Sequence, residues 1–271
     1  MSNQPTRIAV AGAAGRMGQR LVALAADDPA LLLVGAFDQP GHEAAGTDSG
    51  QLAGAGTNGV ALSDEPPDDA DVLIDFSLPQ ATAAIAEHCT ETGTALVLGT
   101  TGLGEAEQAA VDAAAESVPV CQATNFSRVV NVLNLLAAEA AKLLGDGYDI
   151  EIVEAHHRFK KDAPSGTALT LARSICRATD RDFKKDVLTH RHGHDAQRQD
   201  GQITVQALRL GDVVGEHTVM YATAGERMEL KHIGTSRDSY ASGALHAARW
   251  LAGKPAGRYN MKDVLGLEER S

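Results

Sequence analysis

Ile8–Gly18 reads IAVAGAAGRMG, and this stretch decides the fold that the sequence predicts. It opens with an apolar run, continues through three regularly spaced glycines, and leads into a helical pattern from Met17 to Ala26. A second apolar run, Leu31–Phe37, completes a strand, turn, helix and strand. Parallel sheets covered by helices are built from such units. The N-terminal part of the chain is therefore predicted to be an α/β domain.

The glycines also predict a dinucleotide-binding turn. Gly12, Gly15 and Gly18 would let the backbone approach a pyrophosphate at the N-terminus of the helix. The usual G-x-G-x-x-G spacing is not met, because Ala14 takes the place of its second glycine, and glycine-rich turns also serve purely structural needs. Asp38 favours a dinucleotide-binding turn over a purely structural one. It ends the second strand, where an acidic side chain accepts hydrogen bonds from the adenosine ribose hydroxyls.

The same position bears on the choice of nicotinamide cofactor. An aspartate at position 38 repels a 2′-phosphate, and the neighbouring Gln39 provides no cation to offset that repulsion. We therefore expect NADH to be used at least as well as NADPH. Two later segments, Gly99–Gly102 and Ala123–Phe126, follow predicted strands, where a sheet of this kind meets its cofactor. Ordinary loop chemistry explains those two segments equally well.

Apolar runs and alanine-rich helical stretches alternate through the first part of the chain, which favours a parallel sheet. The segment Gly41–Asp69 shows little periodicity and is predicted mostly as loop. The further strands predicted here are Val72–Phe76, Ala95–Leu98 and Val118–Cys121, with helices at Gln80–Thr92 and Glu105–Glu116.

After Asn125 the pattern changes, because several strands succeed one another without a helix between them. Such a run predicts a second, α+β domain with a largely antiparallel or mixed sheet. We expect a Rossmann-type domain at 1–126, completed by 239–271, and a second domain at 127–238. The segments predicted after Asn125 are a helix at Val129–Leu144, strands at Tyr148–Ala155, Ile203–Leu210, His217–Ala222 and Arg227–Ile233, a mobile polar loop at His190–Gly201 and a helix at Ser239–Ala252.

Composition excludes several classes of function. The 271 residues carry a net charge of −12, which argues against nucleic acid and anionic membranes as partners, since both need a positive footprint. No run of eighteen apolar residues and no signal-peptide pattern occurs, so a cytoplasmic location is expected. The three cysteines, Cys89, Cys121 and Cys176, are far apart and indicate neither a disulfide framework nor a zinc site. An anionic substrate would need a local cationic pocket.

Such a cationic cluster lies in Glu154–Thr167, which reads EAHHRFKKDAPSGT and contains five basic side chains. The segment leaves a strand and then opens a helix, where Ser-Gly-Thr can present backbone N–H groups and hydroxyls to a carboxylate. A capped helix after a solvated run of charge is the structural alternative, because Pro164 and Ser165 are good residues for a helix start. The excess of cations favours a site for a dicarboxylate.

The same segment carries a specific resemblance. HHRFKKDAPSGTAL matches each fixed position of H-H-x-x-K-x-D-A-P-S-G-T-A, the signature of the dihydrodipicolinate reductases, now called 4-hydroxy-tetrahydrodipicolinate reductases. The likeness covers nearly the whole chain. It extends through VAGAAGRMG, GTDSGQLAGAG, DVLIDFS, GTTG, ATNFS, GDVVGEHTVMYA and MKDVLGL.

The resemblance implies an N-terminal Rossmann domain and a C-terminal mixed-sheet domain that binds substrate, builds a homotetramer and closes on a hinge. It implies NADH- or NADPH-dependent reduction of 4-hydroxy-tetrahydrodipicolinate to tetrahydrodipicolinate with loss of water, on the diaminopimelate route to lysine. His156 would be the proton donor or acceptor and Lys160 a second proton donor. His157, Gly166 and Thr167 would hold the substrate carboxylates. No metal is implied.

The resemblance also implies the cofactor contacts, and the chain departs from the family's pattern at two places beside them. Gln39 stands where many relatives carry an arginine, which puts a preference for NADPH in doubt. Arg128 stands where the family reads N-F-S-V-G-V or similar. The implied contacts are Gly12, Ala13, Ala14, Gly15, Arg16 and Met17 at the pyrophosphate, Asp38 at the ribose, and Gly99, Thr100, Thr101, Ala123, Thr124, Asn125 and Phe126 on the nicotinamide side.

One possible metal site and two alternative functions fit parts of the sequence. His190, His192 and His194 alternate and could suit zinc, although a polar loop explains them without a metal. Another two-domain NAD(P)-dependent dehydrogenase would share the Rossmann half but not the His-His and Ser-Gly-Thr segment. A dinucleotide-sensing regulator would bind cofactor without turnover, and the intact His156 and Lys160 argue against it.

Overall fold

The computed structural model describes residues 4–194 and 196–267. Two compact units divide them: one comprises the described residues up to Arg128 and from Arg237 onward, and the other comprises those between Val129 and Ser236. Within the described part of the chain, no helix has the length and apolar character needed to cross a membrane.

Strands and helices alternate in the first part of the chain, and four strands follow one another without an intervening helix in the second. The strands are β1 Thr6–Ala11, β2 Leu31–Phe37, β3 Leu62–Ser63, β4 Val72–Asp75, β5 Ala95–Leu98, β6 Pro119–Gln122, β7 Asp149–His156, β8 Val187–Leu188, β9 Ile203–Arg209, β10 Gly215–Thr223, β11 Glu226–Gly234 and β12 Gly257–Tyr259.

The helices begin and end at residues suited to those places. Pro79 opens one helix, and Gly93 closes it in the left-handed conformation, with φ +72°. The Ser165 side chain caps another by accepting the N–H of Ala168. The helices are α1 Arg16–Ala26, α2 Ser49–Leu52, α3 Pro79–Thr92, α4 Glu105–Ala114, α5 Arg128–Leu144, α6 Gly166–Ala178, α7 Phe183–Asp186, α8 Asp238–Leu251 and α9 Met261–Leu265, with a 3₁₀ turn at Gly145–Gly147.

The first unit is a seven-stranded sheet in the order β12-β6-β5-β4-β1-β2-β3, and the strand pairs within it are parallel. Its central strands are buried on both faces, as their continuous apolar sequences predict. Helix α8 packs tightly against the loop that follows β6, since a Cβ added at Gly243 would lie 1.8 Å from the carbonyl oxygen of Phe126. The carboxyl ends of the strands form one edge, where the glycine turn lies.

The second unit is a five-stranded mixed sheet in the order β11-β10-β7-β9-β8. One face packs against α5 and α6 around Ile152, Val205 and Tyr221. The register pairs His217 of β10 with Glu154 of β7 on that same face, and it pairs His217 with His232 of β11. The predicted fold class, a parallel Rossmann-type domain and a mixed-sheet domain, is therefore confirmed.

Several short elements lie outside the predicted pattern. Gly41–Asp69 contains α2 and β3, and the Asp48 carboxylate accepts backbone N–H groups from Gln51, Asn58 and Gly59. Strands β8 and β12 and helices α7 and α9 were not predicted. The polar segment around residue 195 lies outside helices and strands where it is described. Arg198 anchors it by an ion pair with Asp149 at 2.7 Å.

Candidate active site

The first feature of the site is a cavity of about 650 Å³ within the first unit, at the carboxyl edge of its sheet. Its wall includes predicted cofactor residues at the glycine turn and at the end of β2. Among the described residues, no lysine or arginine lines it. Its lining includes Gly12, Ala14, Gly15, Asp38, Gln39 and Ser77.

The glycine turn is fixed by close backbone contacts. Gly12 has φ +68°, and a Cβ added there would lie 2.9 Å from the carbonyl oxygen of Phe76. A Cβ added at Gly18 would lie 2.1 Å from the carbonyl oxygen of Gly12. Gly12 and Gly18 are thus required by the fold, whereas Gly15 precedes α1 as its N-cap and has no side chain to cover the first turn. The turn therefore leaves the N-terminus of α1 open to an anion.

Asp38 is half-buried and holds the turn from the neighbouring strand. Its Oδ2 accepts the N–H of Ala14 at 3.1 Å, and its Oδ1 accepts the N–H of Gln39 at 2.9 Å. Its own N–H donates to the carbonyl oxygen of Ser63 on β3. The carboxylate is thereby fixed on the cavity wall at the end of β2, a place from which an acidic side chain can accept hydrogen bonds from hydroxyl groups.

The remaining predicted cofactor residues do not line this cavity. Arg16 and Met17 begin α1, while Gly99–Thr101 and Ala123–Phe126 follow β5 and β6 at the same edge of the sheet. Thr100 and Phe126 are buried, and Thr101 is exposed. Arg128, the departure from the family's pattern, is the first residue of α5. Burial of His246 lowers the pKa of that histidine, and the charge of Arg128 lowers it further.

Sequence reasoning missed the residues that follow β4. Ser77 lines the cavity. A Cβ added at Gly99 would lie 2.3 Å from Cζ of Phe76, so the Phe76 ring occupies the space that a side chain at position 99 would need. The same ring packs on Phe126 with 5.7 Å between centroids. The signal was available, since the strand-end argument that selected Gly99 applies equally to the residues after the apolar run of β4.

The second feature lies in the other unit, where the Glu154 carboxylate organises His156. Nδ1 of His156 lies 2.6 Å from Oε2 of Glu154, and Arg209 donates to both carboxylate oxygens at 2.8 Å. The N–H of Ser165 donates to Oε1 at 2.9 Å. Burial raises the pKa of Glu154, but these hydrogen bonds outweigh it and lower the pKa to about 2. The ionised carboxylate therefore keeps a proton on Nδ1 and leaves Nε2 of His156 for chemistry.

Two further histidines surround this pair, and sequence reasoning did not select them. His217 meets the ring of His156 edge-on at 5.4 Å between centroids and stacks on His232 at 5.9 Å. Its Nε2 lies 3.3 Å from the Ser165 hydroxyl. Burial, and then the charges of His156 and His232, lowers the pKa of His217 to about 3. His217 is thus neutral near pH 7 and supports the start of α6 through Ser165.

The other predicted catalytic-segment residues are more exposed. Lys160 forms an ion pair with Asp162 at 2.8 Å, and its charge contributes to the lowered pKa of His217. His157 is half-exposed, on the opposite side of the strand end from the buried His156. Its Nδ1 has no hydrogen-bond partner within the described residues. Gly166 and Thr167 form the first turn of α6.

The alternating histidines show no metal cluster. His190 and His192 meet edge-on with 5.1 Å between ring centroids. Throughout residues 4–194 and 196–267, no group of three or more His, Cys, Asp or Glu side chains is placed to hold a metal ion.

The chain matches two family models, one in each half. The model described as "Dihydrodipicolinate reductase, N-terminus" matches residues 6–126, and "Dihydrodipicolinate reductase, C-terminus" matches residues 129–265. The chain is 51% identical over 265 residues to the 4-hydroxy-tetrahydrodipicolinate reductase of Alkalilimnicola ehrlichii, with 97% of this chain and 99% of that protein covered. It is 49% identical over 267 residues to the enzyme of the same name from Chromohalobacter salexigens, with 97% and 99% covered.

Solved structures share the fold. A dipicolinate-bound dihydrodipicolinate reductase from Paenisporosarcina sp. TG-14 has a TM-score of 0.69 at 21% identity, with 95% of this chain and 98% of that chain covered. An amine dehydrogenase from Mycobacterium smegmatis has a TM-score of 0.59 at 14% identity, with 99% and 98% covered. Because both family models match and relatives about half identical align over nearly its full length, this chain belongs to the dihydrodipicolinate reductase family.

Proposed function

We propose that the chain catalyses NAD(P)H-dependent reduction of 4-hydroxy-tetrahydrodipicolinate to tetrahydrodipicolinate, with loss of water, in lysine biosynthesis by the diaminopimelate route. As a member of its family it is an NAD(P)H-dependent oxidoreductase. The observation that carries the proposal is the buried Glu154–His156 pair, which is joined through Ser165 to the helix start of the same signature segment.

The residues present fit a nicotinamide dinucleotide. The open N-terminus of α1 at Gly15 suits a pyrophosphate, and Asp38 on the same cavity wall suits the ribose hydroxyls. NAD(P)H, when bound, supplies the hydride. The further contacts proposed are Gly12–Met17 at the pyrophosphate, and Gly99–Thr101 and Ala123–Phe126 towards the nicotinamide.

The protein's own part in the chemistry is the handling of protons. Hydride addition to carbon 4 of a conjugated imine leaves negative charge on the nitrogen side of the ring, and a nearby donor must neutralise that charge. Glu154 holds the proton on Nδ1 of His156, so Nε2 is the nitrogen that gives or takes a proton. The ammonium group of Lys160 provides a second proton donor.

The start of α6 is proposed to bind a substrate carboxylate, with His157 and Thr167 beside Gly166. The fold does not need glycine at position 166, because its φ is not positive and an added Cβ would meet no described atom within 4 Å. Space left open at a helix N-terminus suits an anion that approaches the backbone closely.

We expect Gly166→Ala to raise KM for the substrate about tenfold while the melting temperature stays unchanged, since the methyl group enters the carboxylate's space and no protein space. Steady-state kinetics and thermal unfolding measure the two quantities. Gly147→Ala, which also meets open space, is the matched control and should leave both values at wild type. An unchanged substrate KM in Gly166→Ala would remove this helix start from the substrate site.

The reaction itself is tested by absorbance at the nicotinamide band. The purified protein is given the product of dihydrodipicolinate synthase, formed in place, with NADH or NADPH in separate cuvettes. Rapid oxidation establishes the reaction and ranks the cofactors. A folded protein that binds NADH without oxidising it would replace the reductase by a dinucleotide-sensing regulator.

Asp38→Ala tests the preference for NADH. We expect KM for NADH to rise about tenfold and KM for NADPH to change less, because the carboxylate binds ribose hydroxyls but repels a 2′-phosphate. Asp64→Ala, at another carboxylate on the same wall, is the control for charge alone. Equal changes for both cofactors in Asp38→Ala would show that Asp38 does not contact the ribose.

We also propose a homotetramer in the cytoplasm. The face of the five-stranded sheet opposite α5 and α6 carries apolar side chains, of which Leu208 and Ile233 are about half exposed. Apolar area on an open sheet face suits contact with another copy of the chain. Light scattering after size-exclusion chromatography should give four times the mass of one chain. A monomeric mass would refute the proposed assembly.

A further inference from the structure

Asp75, the last residue of β4, carries a carboxyl group that has no part in the cofactor contacts or the proton chemistry proposed above. Its side chain is fully buried, although β4 is a central strand where apolar residues are the rule. Its neighbours in the sheet are Ala11 of β1 and Leu98 of β5. Asp75 therefore lies between the glycine turn and the loop that begins at Gly99.

The Asp75 carboxylate is satisfied by four donors from three segments. Oδ1 accepts the N–H of Ser77 at 2.8 Å, its hydroxyl at 2.6 Å, and the hydroxyl of Thr100 at 3.0 Å. Oδ2 accepts the hydroxyl of Thr82 in α3 at 3.3 Å. Burial raises the pKa of Asp75, and these hydrogen bonds act in the opposite direction. Burying a carboxylate costs free energy unless it is hydrogen-bonded. The structural role of Asp75 is therefore to hold the groups that donate to it.

Two of those partners belong to the proposed cofactor site. Ser77 lines the cavity at the glycine turn. Thr100 is the middle residue of Gly99–Thr101, and it is buried with its hydroxyl turned to Asp75. The backbone carbonyl of Asp75 also accepts the N–H of Gly99 at 2.8 Å. One residue thus holds both the cavity wall and the nicotinamide-side loop.

We infer that Asp75 is a positioning residue of the cofactor site, which fixes Gly99–Thr101 relative to the glycine turn through Thr100 and Ser77. The inference rests on the proposed cofactor contacts. Asp75 does not touch the cofactor itself, because it is fully buried; it orders the backbone groups that do. Pre-ordering of a binding loop lowers the entropy lost on binding, so loosening it weakens affinity.

The test is NADH binding to the whole protein without substrate, by isothermal titration calorimetry. Asp75→Asn keeps the shape but loses the charge, and we expect the Kd for NADH to rise about tenfold. Thr100→Val should also raise the Kd for NADH, by about threefold. Thr82→Val removes a hydroxyl from the same carboxylate on the side of α3 and should stay within twofold of wild type. The double variant Asp75→Ala/Thr100→Val should bind no more weakly than Asp75→Ala, because Asp75→Ala alone already removes the acceptor that the Thr100 hydroxyl reaches.

A merely structural role predicts a different result. Thr82→Val would then weaken NADH binding as much as Thr100→Val, or Asp75→Asn would lower the melting temperature with its Kd unchanged; either outcome overturns the inference. If Asp75→Asn does not fold, the comparison of Thr100→Val with Thr82→Val decides the question. A wild-type protein that does not bind NADH would refute the proposed cofactor site instead, so the two failures are distinguishable.

Discussion

Replacing His156 by alanine is expected to lower kcat by two to four orders of magnitude and to leave the Kd for NADH within twofold of wild type. A positioned proton donor or acceptor contributes about 10²- to 10⁴-fold to a rate. The side chain is buried, with Nδ1 committed to Glu154, so its Nε2 has a fixed position that water does not reproduce. Lys160→Ala is expected to lower kcat as well, by removing the second donor.

Stopped-flow reduction with saturating NADH and direct NADH binding measure the two quantities. His192→Ala, at an exposed histidine of the polar segment, is the matched control and should behave as wild type. Weakened NADH binding with a normal kcat in His156→Ala would contradict the assigned role. A small fall in both kcat and kcat/KM would assign the proton chemistry to another group.

The strands that were predicted accurately share one property. Leu31–Phe37 and Ala95–Leu98 are confirmed residue for residue, because both strands of this parallel sheet appear as uninterrupted apolar runs; Ala95–Leu98 is buried throughout, and Leu31–Phe37 is buried at its first residue and its last three. β3 and β12 have two and three residues, and they lie at the two edges of the seven-stranded sheet. Short edge strands depend on the neighbour they pair with, which a local sequence pattern does not specify.

In the candidate site, too, contacts within one strand were predictable from the sequence, and contacts between strands were not. Glu154 and His156 alternate on one strand, so their common face follows from the two-residue period of a β-strand. His217 joins them through the register of β10 with β7, more than fifty residues along the chain. Thr100, just after β5, reaches Asp75 at the end of the neighbouring strand β4 in a comparable way. Contacts set by sheet register were not predictable, because a shift of one residue would turn each side chain to the other face.

Glu154→Ala is expected to cause the largest loss of stability, about 3–5 kcal/mol, because it leaves the Arg209 guanidinium and the Ser165 N–H without their buried partner. It should also lower kcat towards the value of His156→Ala, since His156 loses the acceptor that orients it. Glu154→Gln keeps an acceptor oxygen and should give intermediate losses. Urea unfolding and steady-state kinetics measure both effects. Asp149→Ala breaks an exposed ion pair of the same strand with Arg198 and should cost less than about 1 kcal/mol.

The dependence of this loss on pH separates the carboxylate's charge from its shape. The pKa of Glu154 is lowered from 4.5 to about 2, so its ionised form contributes full stability above pH 4.5, and that contribution is lost as the pH falls through about 2. The difference in unfolding free energy between wild type and Glu154→Gln should therefore have its full value at pH 5 and shrink below pH 4. A difference that stays constant down to pH 2 would mean that packing, and not the buried charge joining His156 to Arg209, makes Glu154 necessary.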